Sequence, residues 1–134
     1  MMTWIPDTSL KILLIDDDDV DGELLRIYLQ KISHLIEFRH CTREQEALDV
    51  VTDNAFDLIF VDNRLSLWTG SEMLAALRDQ GYNGPAVLYT GHMEEVSANR
   101  LRSLKCLDFL EKGDVNVNTL RSTIESAMGR ADTN

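Results

Sequence analysis

Five residues between positions 16 and 112 carry the side chains of phosphoryl and metal chemistry: Asp16, Asp17, Asp62, Thr90 and Lys112. Asp16 and Asp17 come straight after the apolar run Ile12 to Ile15, and Asp62 ends the run that starts at Phe56. Thr90 follows Ala86 to Tyr89, and Lys112 comes just after Leu107 to Leu110. Three carboxylates completed by a carbonyl or water describe a hard-cation site; Mg²⁺ suits it because it keeps several waters and bridges to phosphate, and Mn²⁺ accepts the same oxygens. A lysine and a hydroxyl opposite the acids complement the other oxygens of a phosphoryl group. A carboxylate can also be the nucleophile that forms an aspartyl-phosphate, and Asp62, alone at its strand tip, is better placed for this than the paired acids.

Taken singly, each residue has an ordinary explanation. Asp16 and Asp17 suit a turn, Thr90 a helix cap and Lys112 the turn after a strand. Their joint occurrence at four strand ends is the argument for a site. Asp16 to Asp19 form an unbroken run of like charges, which needs solvent, a helix N-terminus or a cation to offset its repulsion. The first two fall to the metal, and Asp18 and Asp19 to the loop and helix start.

The elements that bring these residues together can be read in order. The first strand covers Ile12 to Ile15. A helix capped near Asp19 follows, with Val20, Leu24 and Ile27 or Tyr28 on its apolar face, Leu25, Leu29 and Ile32 widening that face, and Gly22 weakening it locally. Leu35 to Cys41 alternates as a less buried edge strand, and Glu44 to Asp53 is a helix with Thr42 as cap and Gln45 in the reciprocal position. Phe56 to Asp62 has the continuous apolar character of a central parallel strand. Ser71 is placed to cap a helix burying Met73, Leu74 and Leu77. Ala86 to Tyr89, a polar helix over Glu94 to Leu104, the strand Leu107 to Leu110, and a helix with the stripe Val117, Leu120, Ile124 and Met128 complete the chain. Alternating strands and helices imply a mainly parallel sheet covered on both faces, with ligands outside the C-terminal strand ends.

The 134 residues suit one domain, with a core over about 11–129 and flexible ends at 1–9 and 130–134. A net charge of -10 disfavours binding to nucleic-acid phosphates. No signal peptide or membrane span is visible, so a cytoplasmic location is the default. Cys41 and Cys106 are too few for a disulfide scaffold or thiolate cluster and suit small buried hydrophobes. His34, His40, His92 and Asn99 show no metal-ligand spacing, and His34 and His40 are expected at the surface. Trp68 lies in the loop after Asp62, where it can shield the site or touch a partner.

With these motifs in place, from about Lys11 to Met128, the chain resembles a receiver domain of two-component response regulators, similar to the stand-alone chemotaxis receiver. The resemblance implies a flavodoxin-like, doubly wound five-stranded parallel sheet in the order 2-1-3-4-5 with five helices. It implies phosphorylation of Asp62 by a sensor histidine kinase or a histidine phosphotransfer protein, with Mg²⁺ held by Asp16, Asp17, Asp62 and the backbone carbonyl of Arg64. Lys112 would contact the phosphoryl oxygens, while Thr90 and Phe109 would form the switch. Arg64 and His92 would flank the phosphoryl group and modulate its hydrolysis, and Gly70 would close the loop after Asp62. Such a protein promotes its own phosphoryl transfer and dephosphorylation without independent turnover of a small molecule.

Two departures stand out. Ser66 replaces a common proline, implying a looser loop, and Gly113 replaces a proline after Lys112, so that peptide need not be cis. With no output domain after Asn134, the signal is expected to pass to a separate protein, by docking on the surface of the fourth helix, fifth strand and fifth helix or by onward relay. A receiver-like adaptor that binds partners without phosphorylation is one alternative. A small hydrolase or flavin-binding protein of the same topology is another, disfavoured because carboxylates stand where a glycine-rich phosphate loop would be needed.

Overall fold

A computed structural model describes residues 9–132. Five strands, β1 (Leu10–Ile15), β2 (Ile36–Cys41), β3 (Leu58–Val61), β4 (Ala86–Thr90) and β5 (Asp108–Glu111), alternate with five helices. These are α1 (Asp19–Ile32), α2 (Glu44–Asp53), α3 (Gly70–Asp79), α4 (Ala98–Ser103) and α5 (Val117–Asp132). All strand pairings are parallel, and the sheet order is β2-β1-β3-β4-β5, the flavodoxin-like arrangement expected. The order reverses between β1 and β3, which opens a crevice at their C-terminal ends.

The side chains of β1 divide the core. Ile12 and Leu14 pack with Leu25 and Leu29 of α1 and Leu120 and Ile124 of α5. Leu13 and Ile15 face the other way, onto Ala47 of α2, Met73 and Leu74 of α3 and Leu101 of α4. Strand alternation therefore feeds two helical layers from one continuous apolar run. Each such side chain, fully buried, contributes about 1.5–3 kcal/mol, which is why this run becomes the middle of the sheet.

Several expected boundaries move. β1 starts at Leu10, two residues before the Ile12 expected: Leu10 is buried, and its N–H donates to Leu35 O at 3.2 Å. Of the expected flexible ends, residues 1–8 and 133–134 lie outside the described residues, while 130–132 continue α5. The α1 cap is Asp18, whose carboxylate accepts from Val20 and Asp21 N–H. Thr69, not Ser71, caps α3, in a reciprocal capping box with Glu72. Arg43, not Thr42, precedes α2, and no side chain caps that helix.

The inward face of α1 is also corrected. Val20 is 75% exposed, and Leu24 and Ile27 are exposed too, while Gly22, Leu25, Leu29 and Ile32 are buried. Gly22 sets this face by close approach, because a Cβ there would overlap the imidazole of His40 on β2. His40 is accordingly half-buried rather than a surface residue.

The helix expected over Glu94 to Leu104 is broken. A 3₁₀ turn, Met93–Glu95, gives way to extended Val96, and only then does the short α4 form. Leu101 is its one buried residue, so little apolar contact holds a longer helix in place. Arg78 of α3 fastens its far end, donating to Leu104 O at 3.0 Å and Lys105 O at 3.2 Å as well as to the carbonyls of Tyr82 and Gly84.

Candidate functional site

The five residues singled out in the sequence sit at the C-terminal ends of β1, β3, β4 and β5. Asp16 N–H donates to Cys41 O at 3.1 Å, and Asp62 N–H to Ile15 O at 2.9 Å, so both acids are anchored to the sheet by their backbones. Asp16 is fully buried, Asp62 nearly so, and Asp17 exposed. One oxygen from each lies within 4.8 Å of the other two. Asp17, Asp21, Asp62, Arg64, His92 and Lys112 line a cleft of about 410 Å³ over this cluster.

Lys112 supplies the positive charge. Its Nζ lies 2.7 Å from Asp16 Oδ2, 2.7 Å from Asp21 Oδ2 and 3.2 Å from Asp62 Oδ2. Burial disfavours its charge, but the Asp16 and Asp21 carboxylates outweigh this and raise its pKa. The ammonium also lies 5.5 Å from the ring centroid of buried Tyr89. A 3₁₀ turn over Lys112–Asp114 begins here, and its peptides are trans.

Asp16 carries the strain of this arrangement. Burial pushes its carboxyl up to about 7, against the lowering effects of Lys112 and of the Asp18 N–H on its Oδ1 at 3.0 Å. Its Oδ2 touches the Lys112 ammonium off the hydrogen-bonding direction and has no aligned partner. A buried carboxylate oxygen that has an ammonium beside it but no aligned donor, among three clustered acids, fits a hard divalent cation, which would supply a further ligand interaction.

Thr90, the last residue of β4, is fully buried, and its Oγ1 accepts from His92 N–H at 3.1 Å. His92 is exposed and has Glu94 at 3.7 Å. Phe109 is half-buried against the second core cluster, with the Arg102 guanidinium 5.5 Å from its ring. Arg64 does not reach into the cleft alone: its guanidinium makes a two-pronged ion pair with Glu95. Glu95 O also accepts from Asn63 Nδ2 at 3.4 Å, so two residues after β3 hold the turn after β4. Gly70 closes this region, since a Cβ would come within 3.0 Å of Asn63 Cα and Asp62 O.

The loop after Asp62 is pinned, contrary to the expectation drawn from Ser66. Glu44, the buried first residue of α2, accepts from Ser66 Oγ at 2.9 Å, Leu67 N–H at 2.6 Å and Trp68 N–H at 2.9 Å. Burial opposes its charge, but these donors prevail and lower its pKa. Trp68 packs against the second core cluster and does not line the cleft. The sequence assigns no role at the site to Asp21, Glu44 or Glu95. Asp21 left one signal, an acid in the first turn of the helix that follows Asp16; the partners of the other two lie in distant loops.

An open, doubly wound α/β sheet with an acidic cleft at its switch point defines the class. The chain belongs to the response regulator receiver domain family, whose family model matches residues 12–125. A two-component response regulator from Clostridium difficile is 25% identical, with a TM-score of 0.82 over 93% of this chain and 100% of that one. The Vibrio cholerae chemotaxis protein CheY4 shares the fold at 23% identity and a TM-score of 0.78, covering 90% of this chain and 99% of its own. Among curated relatives, the Staphylococcus aureus transcriptional regulatory protein SrrA is 29% identical over 89 residues, 66% of this chain and 36% of that protein. The autoinducer 2 sensor kinase/phosphatase LuxQ of Vibrio vulnificus is 31% identical over 71 residues, 53% of this chain and 8% of that protein. The chain thus spans about a third or less of the curated relatives it matches. Among the described residues, no helix is long and apolar enough to cross a membrane.

Proposed function

We propose that Asp62 accepts a phosphoryl group from a phosphohistidine of a sensor kinase or histidine phosphotransfer protein, in a Mg²⁺-dependent reaction in the cytoplasm. The observation that carries this reading is the Lys112 ammonium, in contact with both Asp16 and Asp62 where the three acids cluster. An Asp62 oxygen attacks phosphorus in line; the bond from phosphorus to the donor imidazole nitrogen breaks, and the imidazole leaves with the electron pair. Lys112 faces the oxygens that carry the charge, and the anchored backbone of Asp62 holds the nucleophile in place. Asp16, Asp17, Asp62 and the Arg64 carbonyl would hold the cation, which, when bound, neutralises charge on the phosphoryl oxygens.

The phosphorylated site acts on Thr90, whose hydroxyl turns from its local bond to the new oxygens, and Phe109 follows inward. This reweights two arrangements of the surface formed by α4, β5 and α5. A separate partner reads the change by docking there, or the phosphoryl group passes onward to another histidine. Incubation of the chain with Mg²⁺ and acetyl phosphate should give an adduct of one phosphoryl group that base and hydroxylamine remove, as expected of an acyl phosphate, and that is absent from Asp62→Asn. An adduct that persists in that variant removes Asp62 as the acceptor. Failure of any adduct, with partner binding indifferent to position 62, favours an adaptor that works without phosphorylation.

A further inference from the structure

Lys112 has three carboxylate neighbours, and the proposed transfer reaction uses only two. The third is Asp21. Its Oδ2 accepts from Nζ at 2.7 Å, as close as the Asp16 contact and shorter than the 3.2 Å bond to Asp62. An acid in the first turn of a helix gains from the N-terminal partial charge, and that would account for its presence. It does not account for its direction. The Asp18 carboxylate holds Asp21 N–H at 3.1 Å, fixing this turn beside the end of β1, and Asp21 reaches a lysine 91 positions later in the chain. The side chains of Lys112 and Asp21 are only 15% and 29% exposed. With the Tyr89 ring on another side, the ammonium is held from several directions, and the Asp62 contact is the longest of its hydrogen bonds.

We propose that Asp21 is a positioning residue for phosphoryl transfer, keeping the Lys112 ammonium in the cleft when Asp16 turns its oxygens toward a divalent cation. The proposal rests on the reading of Asp62 as the phosphoacceptor. A lysine stem has many rotamers, so an ammonium with its Asp16 contact weakened and no other anchor would spread toward solvent. Asp21 coordinates no cation in this scheme; it supplies the second fixed contact that leaves one N–H for the oxygens arriving at Asp62.

The test uses the whole chain with Asp21→Asn and Asp21→Glu. Reductive methylation of the metal-free protein, read at Lys112 by peptide mass spectrometry, reports the hold on the amine with no phosphodonor present. Asp21→Asn should be labelled at Lys112 roughly threefold faster or more, and Asp21→Glu close to the parent rate. With Mg²⁺ and acetyl phosphate, Asp21→Asn should lower the maximal phosphorylation rate roughly five- to twentyfold at an unchanged half-saturating phosphodonor concentration, with Asp21→Glu restoring most of it. Should Asp21→Asn lower the thermal unfolding midpoint, Asp21→Ser, which keeps a polar residue at the helix start, is read in the same way. Equal labelling, or a faster phosphorylation rate in Asp21→Asn, overturns the proposal. Failure of the Asp62 reading looks different: no chain forms an adduct while labelling still responds to position 21, and the transfer role is then withdrawn.

Discussion

The imidazole of His40 fills the space that a side chain at Gly22 would need, and its Nε2 donates to Asp16 O at 2.6 Å. This contact joins β2, α1 and the first acid of the cleft. It also makes a helix-interior glycine useful despite its cost of about 1 kcal/mol relative to alanine. Gly22→Ala should therefore destabilise the chain by about 1–2 kcal/mol, because the imidazole must leave the Asp16 carbonyl to admit a methyl group. In a His40→Ala background the same substitution should become neutral or stabilising. Urea unfolding of the four chains in this double-mutant cycle checks it; a loss of the same size in both backgrounds would show that His40 is not the obstacle.

The buried Asp16 carboxyl, raised from 3.8 to about 7, makes metal-free stability and metal affinity depend on pH in opposite ways. Between these two values the folded chain holds a proton that the unfolded chain has lost. This group's stability contribution is thus fully present below about pH 4 and declines as pH rises to about 7, by roughly 4 kcal/mol at most. The raised pKa of Lys112 lies far above that window, and the lowered pKa of Glu44 acts only below 4.5, at its acid edge and with the opposite sign. A cation needs the ionised carboxylate, so Mg²⁺ affinity should rise from pH 5.5 to 7, level off above, and be accompanied by proton release on the acid side. Isothermal titration in buffers of different ionisation enthalpy measures this. Affinity that is flat across the range would mean that Asp16 is already ionised in the metal-free chain.

Glu44 holds Ser66, Leu67 and Trp68 by three hydrogen bonds from a nearly inaccessible side chain. Bonds to a charged acceptor are worth about 1.5–3 kcal/mol each before relaxation, and the freed loop regains water, so Glu44→Gln should lose about 2–3 kcal/mol in all. Amide exchange at Leu67 and Trp68 should accelerate beyond what the global loss explains. Exchange at those two amides that follows global unfolding alone would assign the loop's order to other contacts.

The strand ends were legible because hydrophobic runs followed by single polar residues are local features, and the C-terminal end rule converts them into one place. Which side of α1 faces inward was not. Val20, Leu24 and Ile27 repeat with helical spacing just as Leu25, Leu29 and Ile32 do, and long-range contacts, among them the close approach of Gly22 to His40 on β2, select the second set. Thr69 and Ser71 are both hydroxyls near the start of α3, and the cap falls to the one three residues before Glu72. The role of Asp21 was illegible for another reason: an acid at a helix start has a sufficient local explanation, and its lysine lies on the far edge of the sheet topology.

Arg64 and Glu95 form an exposed ion pair between the loop after β3 and the 3₁₀ turn after β4, and such pairs add little to stability and weaken with salt. Their effect should therefore appear in the lifetime of the adduct rather than in folding. While Arg64 is engaged by Glu95, its guanidinium is held at the 3₁₀ turn after β4. A phosphoryl dianion on Asp62 competes with Glu95 for that guanidinium, and a guanidinium over its oxygens hinders the approach of water. Glu95→Gln should leave the unfolding midpoint unchanged and lengthen the half-life of the phosphoryl adduct roughly two- to fivefold. Raising the salt concentration should move the parent protein in the same direction, because it weakens the surface pair more than the shorter-range contact with the phosphoryl group. Arg64→Ala should abolish the difference between the parent and Glu95→Gln. A Glu95→Gln half-life equal to the parent's, or a difference that persists without Arg64, would remove the guanidinium from control of hydrolysis.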